Sequence, residues 1–111
     1  MKEGEEMKYQ INENVITLYL PKEVDHHSAE EIRRISDKMI EKNHIRHIVF
    51  DFKDTVFMDS SGIGVIMGRY KQISFGGGVI WAVNANERIQ KILLMSGITK
   101  LIQVYGEEQC I

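Results

Sequence analysis

The sequence predicts an α/β domain with a mostly parallel central sheet, in the order β-β-α-β-α-β-α-β. Strand-like and helix-like segments alternate after the first two strands, which is typical of βαβ units. A dense apolar run at residues 48–50 indicates a buried central strand, the kind that parallel sheets need. The length of 111 residues matches one domain. We therefore expect residues 1–111 to form a single domain, with residues 1–6 frayed.

The first element is an antiparallel hairpin at one edge of the sheet. Residues 7–11 and 15–20 are strand-like, and Asn12-Glu13-Asn14 between them has the composition of a turn. Pro21 ends the second strand, because proline has no N–H to donate to a strand ladder.

The first helix is predicted over residues 29–42. Ser28 and Glu31 have the spacing of a capping box, in which each side chain accepts a hydrogen bond from the other residue's backbone N–H. The apolar residues that follow recur at helical spacing and define the inward face: Ile32, Ile35, Met39 and Ile40.

The rest of the chain alternates strands and helices. In order, the predicted elements are a central strand at 45–52, a helix at 60–73, a glycine turn at 76–78, a strand at 79–83, a helix at 87–96 and a strand at 101–105. Asn86 is the residue type of an N-cap for the third helix, and Gly97 is the residue type that ends it.

The composition excludes several functions. Lys and Arg number 14 against 16 Asp and Glu, so the net charge is −2 and no basic surface is available for nucleic acid. No apolar run approaches the roughly 20 residues that cross a bilayer, and residues 1–6 lack the apolar core of a signal peptide. The single Cys110 forms no internal disulfide. We therefore expect a cytoplasmic protein that binds neither nucleic acid nor membranes.

The unusual segment runs from residue 57 to residue 64 and opens the second helix. Asp59 is a good N-cap residue, which places the hydroxyls of Ser60 and Ser61 in the first turn near solvent. Three glycines lie inside this helix, although each costs about 1 kcal/mol relative to alanine: Gly62, Gly64 and Gly68. Close backbone packing is the favoured reason, and a partner lying against the helix or a helix that shifts easily are the alternatives.

Catalytic and metal-binding interpretations have little support. The glycine spacing matches neither dinucleotide nor Walker motifs, and Ser60 lacks the first glycine of the nucleophile elbow. The histidines occur in two pairs without a cysteine at zinc-site spacing: His26, His27, His44 and His47. We therefore expect no catalysis, metal or cofactor. An exposed serine at a helix start suits phosphorylation, which would add about −1.5 to −2 charges. A simple capping role for Ser60 is the alternative.

Residues 57–71 resemble the signature of the anti-sigma factor antagonists of the STAS domain family, nearest to the sporulation type. The core of this match is Asp59-Ser60-Ser61-Gly62-Ile63-Gly64. Residues 25–30 are similar to the family's loop before the first helix, residues 45–49 to its central strand, and residues 95–98 to the end of its third helix.

This resemblance implies a STAS fold and a transcriptional regulator rather than an enzyme. Such an antagonist binds an anti-sigma factor that is also a serine kinase, and the sigma factor is released. The kinase phosphorylates the signature serine and ends the binding, and a PP2C-type phosphatase restores it. The matching serine is Ser60, and ATP belongs to the kinase. The expected partner-binding residues lie where parallel strands end: Asp25, His26, His27, Asp59, Ser61 and Gly62.

Two departures from the family pattern affect these expectations. Lys22 stands where the family often has glycine, which could change the loop or the choice of partner. The sequence stops soon after the last strand, so we expect the family's C-terminal helix to be missing or truncated. The oligomeric state stays open between a monomer and a weak dimer. The alternative functions are a STAS scaffold or sensor that is never phosphorylated, and a small serine enzyme.

Overall fold

The computed structural model describes residues 7–107. The elements of this part of the chain are β1 Lys8–Asn12, β2 Val15–Tyr19, β3 Glu23–Val24, α1 His26–Asn43, β4 His47–Asp51, β5 Phe57–Met58, α2 Ser60–Ser74, β6 Ile80–Ala85, α3 Glu87–Ser96, a 3-10 turn Ile98–Lys100 and β7 Gln103–Gly106. The predicted order is confirmed, with the short strands β3 and β5 added to it. The expectations for residues 1–6 and for Cys110 concern residues outside the described range.

The main sheet has five strands in the order β1-β2-β4-β6-β7. β1 pairs antiparallel with β2 at the edge, as the hairpin prediction required. The other three pairings are parallel. Because β2 and β4 run in the same direction, the segments that follow Tyr19 and Asp51 leave the sheet at the same end, beyond the carboxyl ends of these strands. The candidate site lies at this end of the sheet.

The two faces of the sheet differ in burial. Alternate side chains of the three central strands are completely buried beneath the helices: Ile16, Leu18, Ile48, Phe50, Ile80 and Ala82. The side chains between them, such as Val49 and Trp81, are only partly buried. The predicted central strand is therefore confirmed as β4, in the middle of the sheet, with Ile48 and Phe50 completely buried and Val49 partly buried.

The start of α1 also differs from the prediction. The N-cap is Asp25 rather than Ser28, so the helix begins three residues earlier than its capping-box pattern indicated. Both residues are of the cap-forming type, and they bond to each other. The Asp25 carboxylate accepts from the Ser28 N–H at 3.0 Å, and the Ser28 hydroxyl accepts from the Asp25 N–H at 2.9 Å. Ser28 is therefore the third helical residue of the box.

The starts of α2 and α3 follow the sequence prediction. Asp59 caps α2, and Asn86 caps α3 by accepting from the Ile89 N–H at 2.9 Å. Gly97 ends α3 in the left-handed conformation with φ of 83°, which glycine adopts without steric cost. No helix within residues 7–107 is long and apolar enough to span a membrane.

Candidate functional site

Two short parallel strands hold the starts of α1 and α2 side by side. Glu23 of β3 lies opposite Phe57 of β5, and Val24 lies opposite Met58. One residue further along, the Asp59 N–H donates to the carbonyl oxygen of Val24 at 3.1 Å. The two segments thus meet beyond the ends of β2 and β4, in agreement with the placement expected from the sequence.

Lys22 contributes to this arrangement through its backbone. Its carbonyl oxygen accepts hydrogen bonds from the N–H groups of Val56, at 2.8 Å, and Phe57, at 3.2 Å. Its φ is not among the positive values of the chain. Lysine therefore occupies this position without the strain that a left-handed residue would carry.

At the start of α2, the N-cap is a carboxylate, and the hydroxyls of the two serines that follow it take no part in capping. The Asp59 carboxylate accepts from the Ser61 N–H at 2.8 Å. Ser60, the first helical residue, is exposed, and Ser61 is partly buried. Neither hydroxyl makes a hydrogen bond to another described residue. Ser60 therefore presents a free hydroxyl to solvent at a helix N-terminus.

At the start of α1, by contrast, the hydroxyl of the third helical residue, Ser28, is fully hydrogen-bonded. The Ser28 side chain is buried. Besides accepting from the Asp25 N–H, its hydroxyl lies 3.0 Å from the carbonyl oxygen of Glu23, to which it donates. The hydrogen bond from the Ser28 N–H is the main cause that holds the pKa of Asp25 below its ordinary value. Asp25 and Ser28 thus form a closed structural unit.

The three glycines of α2 have different surroundings. A Cβ at Gly62 would lie 2.5 Å from Cγ and Sδ of Met58 and 3.0 Å from Val24. Gly62 therefore permits the close approach of α2 to β5 and β3. A Cβ at Gly64 or Gly68 would meet nothing within 4 Å. The close-packing interpretation is thus correct for Gly62 and wrong for the other two.

A shallow groove separates the first turns of α1 and α2. Its lining consists of His26, Ala29, Glu30, Arg33, Ser61, Gly64 and Val65. Among the predicted binding residues, the groove brings together His26 and Ser61. His27 is exposed and lines a different depression on α1. Asp25 and Asp59 serve as caps, so their roles in this structure are to shape the surface.

A buried arginine behind the groove was missed by the sequence analysis. Arg69 of α2 lies in the middle of its helix with only 7% of its surface exposed. Its Nη2 forms an ion pair with Asp37 of α1 at 3.2 Å, and its Nη1 donates to the Ser36 hydroxyl at 3.5 Å. Burial lowers the pKa of Arg69, while the Asp37 charge opposes that effect. This contact ties together the two helices that form the site.

Metal ligation has no geometric basis in the described residues. No group of three or more His, Cys, Asp or Glu side chains within residues 7–107 is placed to hold a metal ion. The arrangement instead offers an exposed hydroxyl at a capped helix start, beside a groove lined by both polar and apolar side chains. Such a surface is suited to binding a protein and to covalent modification.

Comparisons with known proteins agree in the family they indicate. Residues 6–109 match the STAS domain family. An anti-sigma F factor antagonist from Paenibacillus polymyxa is 39% identical over 94 residues, which cover 85% of this chain and 80% of that protein. An anti-sigma-B factor antagonist from Bacillus subtilis is 29% identical over 98 residues, which cover 88% of each chain.

A solved structure shows the same fold. The phosphorylated form of the Bacillus cell fate determinant SpoIIAA matches this chain with a TM-score of 0.73 and 26% sequence identity. The match covers 92% of this chain and 93% of that one.

Proposed function

The chain belongs to the STAS domain family, and on this premise we propose that it is an anti-sigma factor antagonist. In this proposal it binds an anti-sigma factor that is also a serine kinase, and the bound sigma factor is released to act in transcription. Phosphorylation of Ser60 by that kinase ends the binding. A PP2C-type phosphatase restores the active form.

The observation that carries the proposal is the contrast in hydroxyl availability. Ser60 is exposed and unbonded at the first position of α2, whereas Ser28 is buried and engaged at the start of α1. A kinase needs a hydroxyl that is exposed at the protein surface and that can be modified without breaking a hydrogen bond of the fold. The relative SpoIIAA has been solved in phosphorylated and unphosphorylated forms, which shows that this fold accommodates the modification in that protein.

Phosphate at Ser60 would alter the surface far more than the fold. It would add about −1.5 to −2 charges and three acceptor oxygens. The α2 N-terminus favours negative charge through the helix dipole, while the carboxylate of Asp59 opposes it. These contributions offset each other locally. The surface around His26 and Ser61, however, becomes strongly acidic, and a partner complementary to the unmodified surface is repelled.

The binding surface in this proposal comprises the exposed ends of both helices. His26, His27 and Ser61 contact the partner directly. Asp25, Asp59 and Gly62 hold the two helix starts in position through capping and close packing. The chain itself performs no catalysis and takes no cofactor, because the kinase supplies ATP. The cycle operates in the cytoplasm, where sigma factors act.

Binding measurements with the anti-sigma factor of the same organism test this proposal. By isothermal titration calorimetry with ADP present, the wild type and Ser60→Ala should bind with similar affinity. Ser60→Asp should bind at least about tenfold more weakly, a difference of about 1.4 kcal/mol. Equal affinities of Ser60→Ala and Ser60→Asp would rule out a charge switch. Tight binding without any phosphate transfer from ATP would support the STAS scaffold instead.

A further inference from the structure

Two large apolar side chains are exposed directly before the candidate phosphorylation site. Val56 is 47% exposed and Phe57 is 43% exposed. Their chain neighbours on either side, Thr55 and Met58, are buried. Exposing a phenylalanine leaves apolar surface in water that folding would normally remove. Close to half of the surface of each residue therefore stays open to solvent within residues 7–107.

The backbone beneath these side chains is firmly held. The N–H groups of both residues donate to the Lys22 carbonyl oxygen. On one side, the Thr55 hydroxyl donates to the Pro21 carbonyl oxygen at 2.8 Å, and on the other, Met58 pairs with Val24 in the parallel ladder. The apolar pair is therefore presented in a fixed position. A backbone that is already ordered loses little further conformational freedom when its side chains bind a partner, which favours affinity.

The surroundings of the pair have the composition of a small protein-binding site. Lys22 and Glu23, on the paired segment, are exposed, and neither forms an ion pair among the described residues. An apolar centre with a charged rim is the usual anatomy of a transient protein interface. Because aromatic side chains are enriched at the centre of such interfaces, Phe57 is the natural anchor.

The distance to Ser60 connects this pair to the proposed partner. Two residues, Met58 and Asp59, lie between Phe57 and Ser60, so the Cα atoms of Phe57 and Ser60 are at most about 11 Å apart, even along an extended chain. A kinase that closes around the Ser60 hydroxyl therefore has Phe57 within its reach. Val56, Phe57 and Ser60 are all exposed, so the apolar pair and the phosphorylation site lie within one short stretch of exposed chain that only Met58 and Asp59 interrupt.

We propose that Val56 and Phe57 are the apolar anchor by which this chain binds its anti-sigma factor. This inference rests on the proposed function. The partner feature it requires is an apolar depression beside the nucleotide site, within reach of the γ-phosphate that is transferred to Ser60. The position of Phe57 near Ser60 also explains how phosphorylation would end the binding. Phosphate on Ser60 must stay hydrated, and docking Phe57 nearby would strip water from it.

Alanine variants of exposed side chains test the anchor. Phe57→Ala should weaken binding to the anti-sigma factor of the same organism at least about tenfold, and Val56→Ala about threefold, by isothermal titration calorimetry. The matched control is Phe75→Ala. Phe75 is 98% exposed at the opposite end of α2, so its removal should change the affinity less than about twofold. Circular dichroism melts establish that each variant is folded.

Phosphorylation kinetics provide a second readout that does not depend on tight binding. With the anti-sigma factor as the kinase, Phe57→Ala should raise the KM for the protein substrate about tenfold while kcat stays within about twofold, since the anchor binds but does not touch the reacting atoms. Phe57→Leu, which keeps an apolar side chain and protects folding, should recover most of the lost affinity.

The outcomes separate the anchor from the function on which it rests. If the wild type binds and is phosphorylated but Phe57→Ala behaves like Phe75→Ala, the anchor is wrong and the function stands. If the wild type neither binds nor accepts phosphate, both are wrong. If Phe57→Ala abolishes self-association in sedimentation velocity without changing affinity for the anti-sigma factor, the pair binds a second copy of this chain, and the proposal is overturned.

Discussion

The starts of α1 and α2 have similar local structures but different roles. Each follows one strand of the β3–β5 pair, and each has an aspartate N-cap. At α1 the third helical residue is Ser28, whose hydroxyl completes a reciprocal cap. At α2 the third residue is Gly62, and the hydroxyls of Ser60 and Ser61 stay unbonded. A serine that completes a cap stabilises the fold, whereas a serine beside a cap already satisfied is available for chemistry.

The largest expected effect comes from placing a side chain at the third position of α2. Gly62→Ala should lower the free energy of unfolding by about 1–3 kcal/mol, because its Cβ overlaps Met58 and Val24. Gly64→Ala is the matched control. Its Cβ meets nothing within 4 Å, so it should raise stability by up to about 1 kcal/mol through helix propensity alone. Urea denaturation measures both. Similar effects of the two substitutions would mean that close approach does not explain Gly62.

The engaged serine should matter more for stability than the free one. Ser28→Ala removes the acceptor for the Asp25 N–H and should cost about 1–2 kcal/mol of stability. Ser61→Ala removes a hydroxyl without a hydrogen-bond partner and should change stability by less than about 0.5 kcal/mol. Denaturant midpoints of the two variants measure the difference. A loss of the same size in both would remove the contrast between the two helix starts.

Acid should weaken the start of α1. The pKa of Asp25 is lowered chiefly by the hydrogen bond from the Ser28 N–H. A lowered pKa contributes stability that is present above the ordinary value of 3.8 and is lost as the pH falls through the folded-state value. Asp25→Asn keeps a capping oxygen but does not titrate, so its melting temperature should fall less than that of the wild type between about pH 5 and pH 2. Identical pH profiles would show that the ionisation of Asp25 does not contribute to stability.

A negative charge at Ser60 should have the smallest effect on the fold. In Ser60→Asp the helix N-terminus attracts the new carboxylate and Asp59 repels it, so stability should change by less than about 0.5 kcal/mol. Thermal melts at low salt measure this change. A loss well above that size would mean that phosphorylation acts by unfolding α2 rather than by altering its surface.

Where a helix start is decided by a single N-cap residue, the sequence predicts it correctly. Asp59 and Asn86 were placed correctly, because a cap is decided within one turn of chain. The start of α1 was misplaced, since Asp25 and Ser28 are both good caps and only the folded geometry shows that they act as a pair. The strands β3 and β5 have two residues each, too few for a periodic pattern.

Contacts between segments that are distant in the chain cannot be predicted from local sequence patterns. Arg69 occupies helical spacing with Ile66 and Ile73, and its burial depends on Ser36 and Asp37 of another helix. The exposure of Phe57 depends on how the β3–β5 pair sits on the domain. The position of Ser60 at a helix start already suggested phosphorylation, and the family resemblance distinguished it from Ser61. The structure adds that Ser60 is exposed and that no other described group bonds its hydroxyl.

Phosphopeptide mapping tests the central claim most directly. The wild-type chain is incubated with the anti-sigma factor of the same organism and ATP, digested, and sequenced by fragmentation mass spectrometry that resolves Ser60 from Ser61. The account predicts a single phosphate, on Ser60, that is lost in Ser60→Ala and kept in Ser61→Ala. A phosphate on Ser61 or on the engaged Ser28, or no phosphate on a wild-type chain that binds the anti-sigma factor, would contradict it.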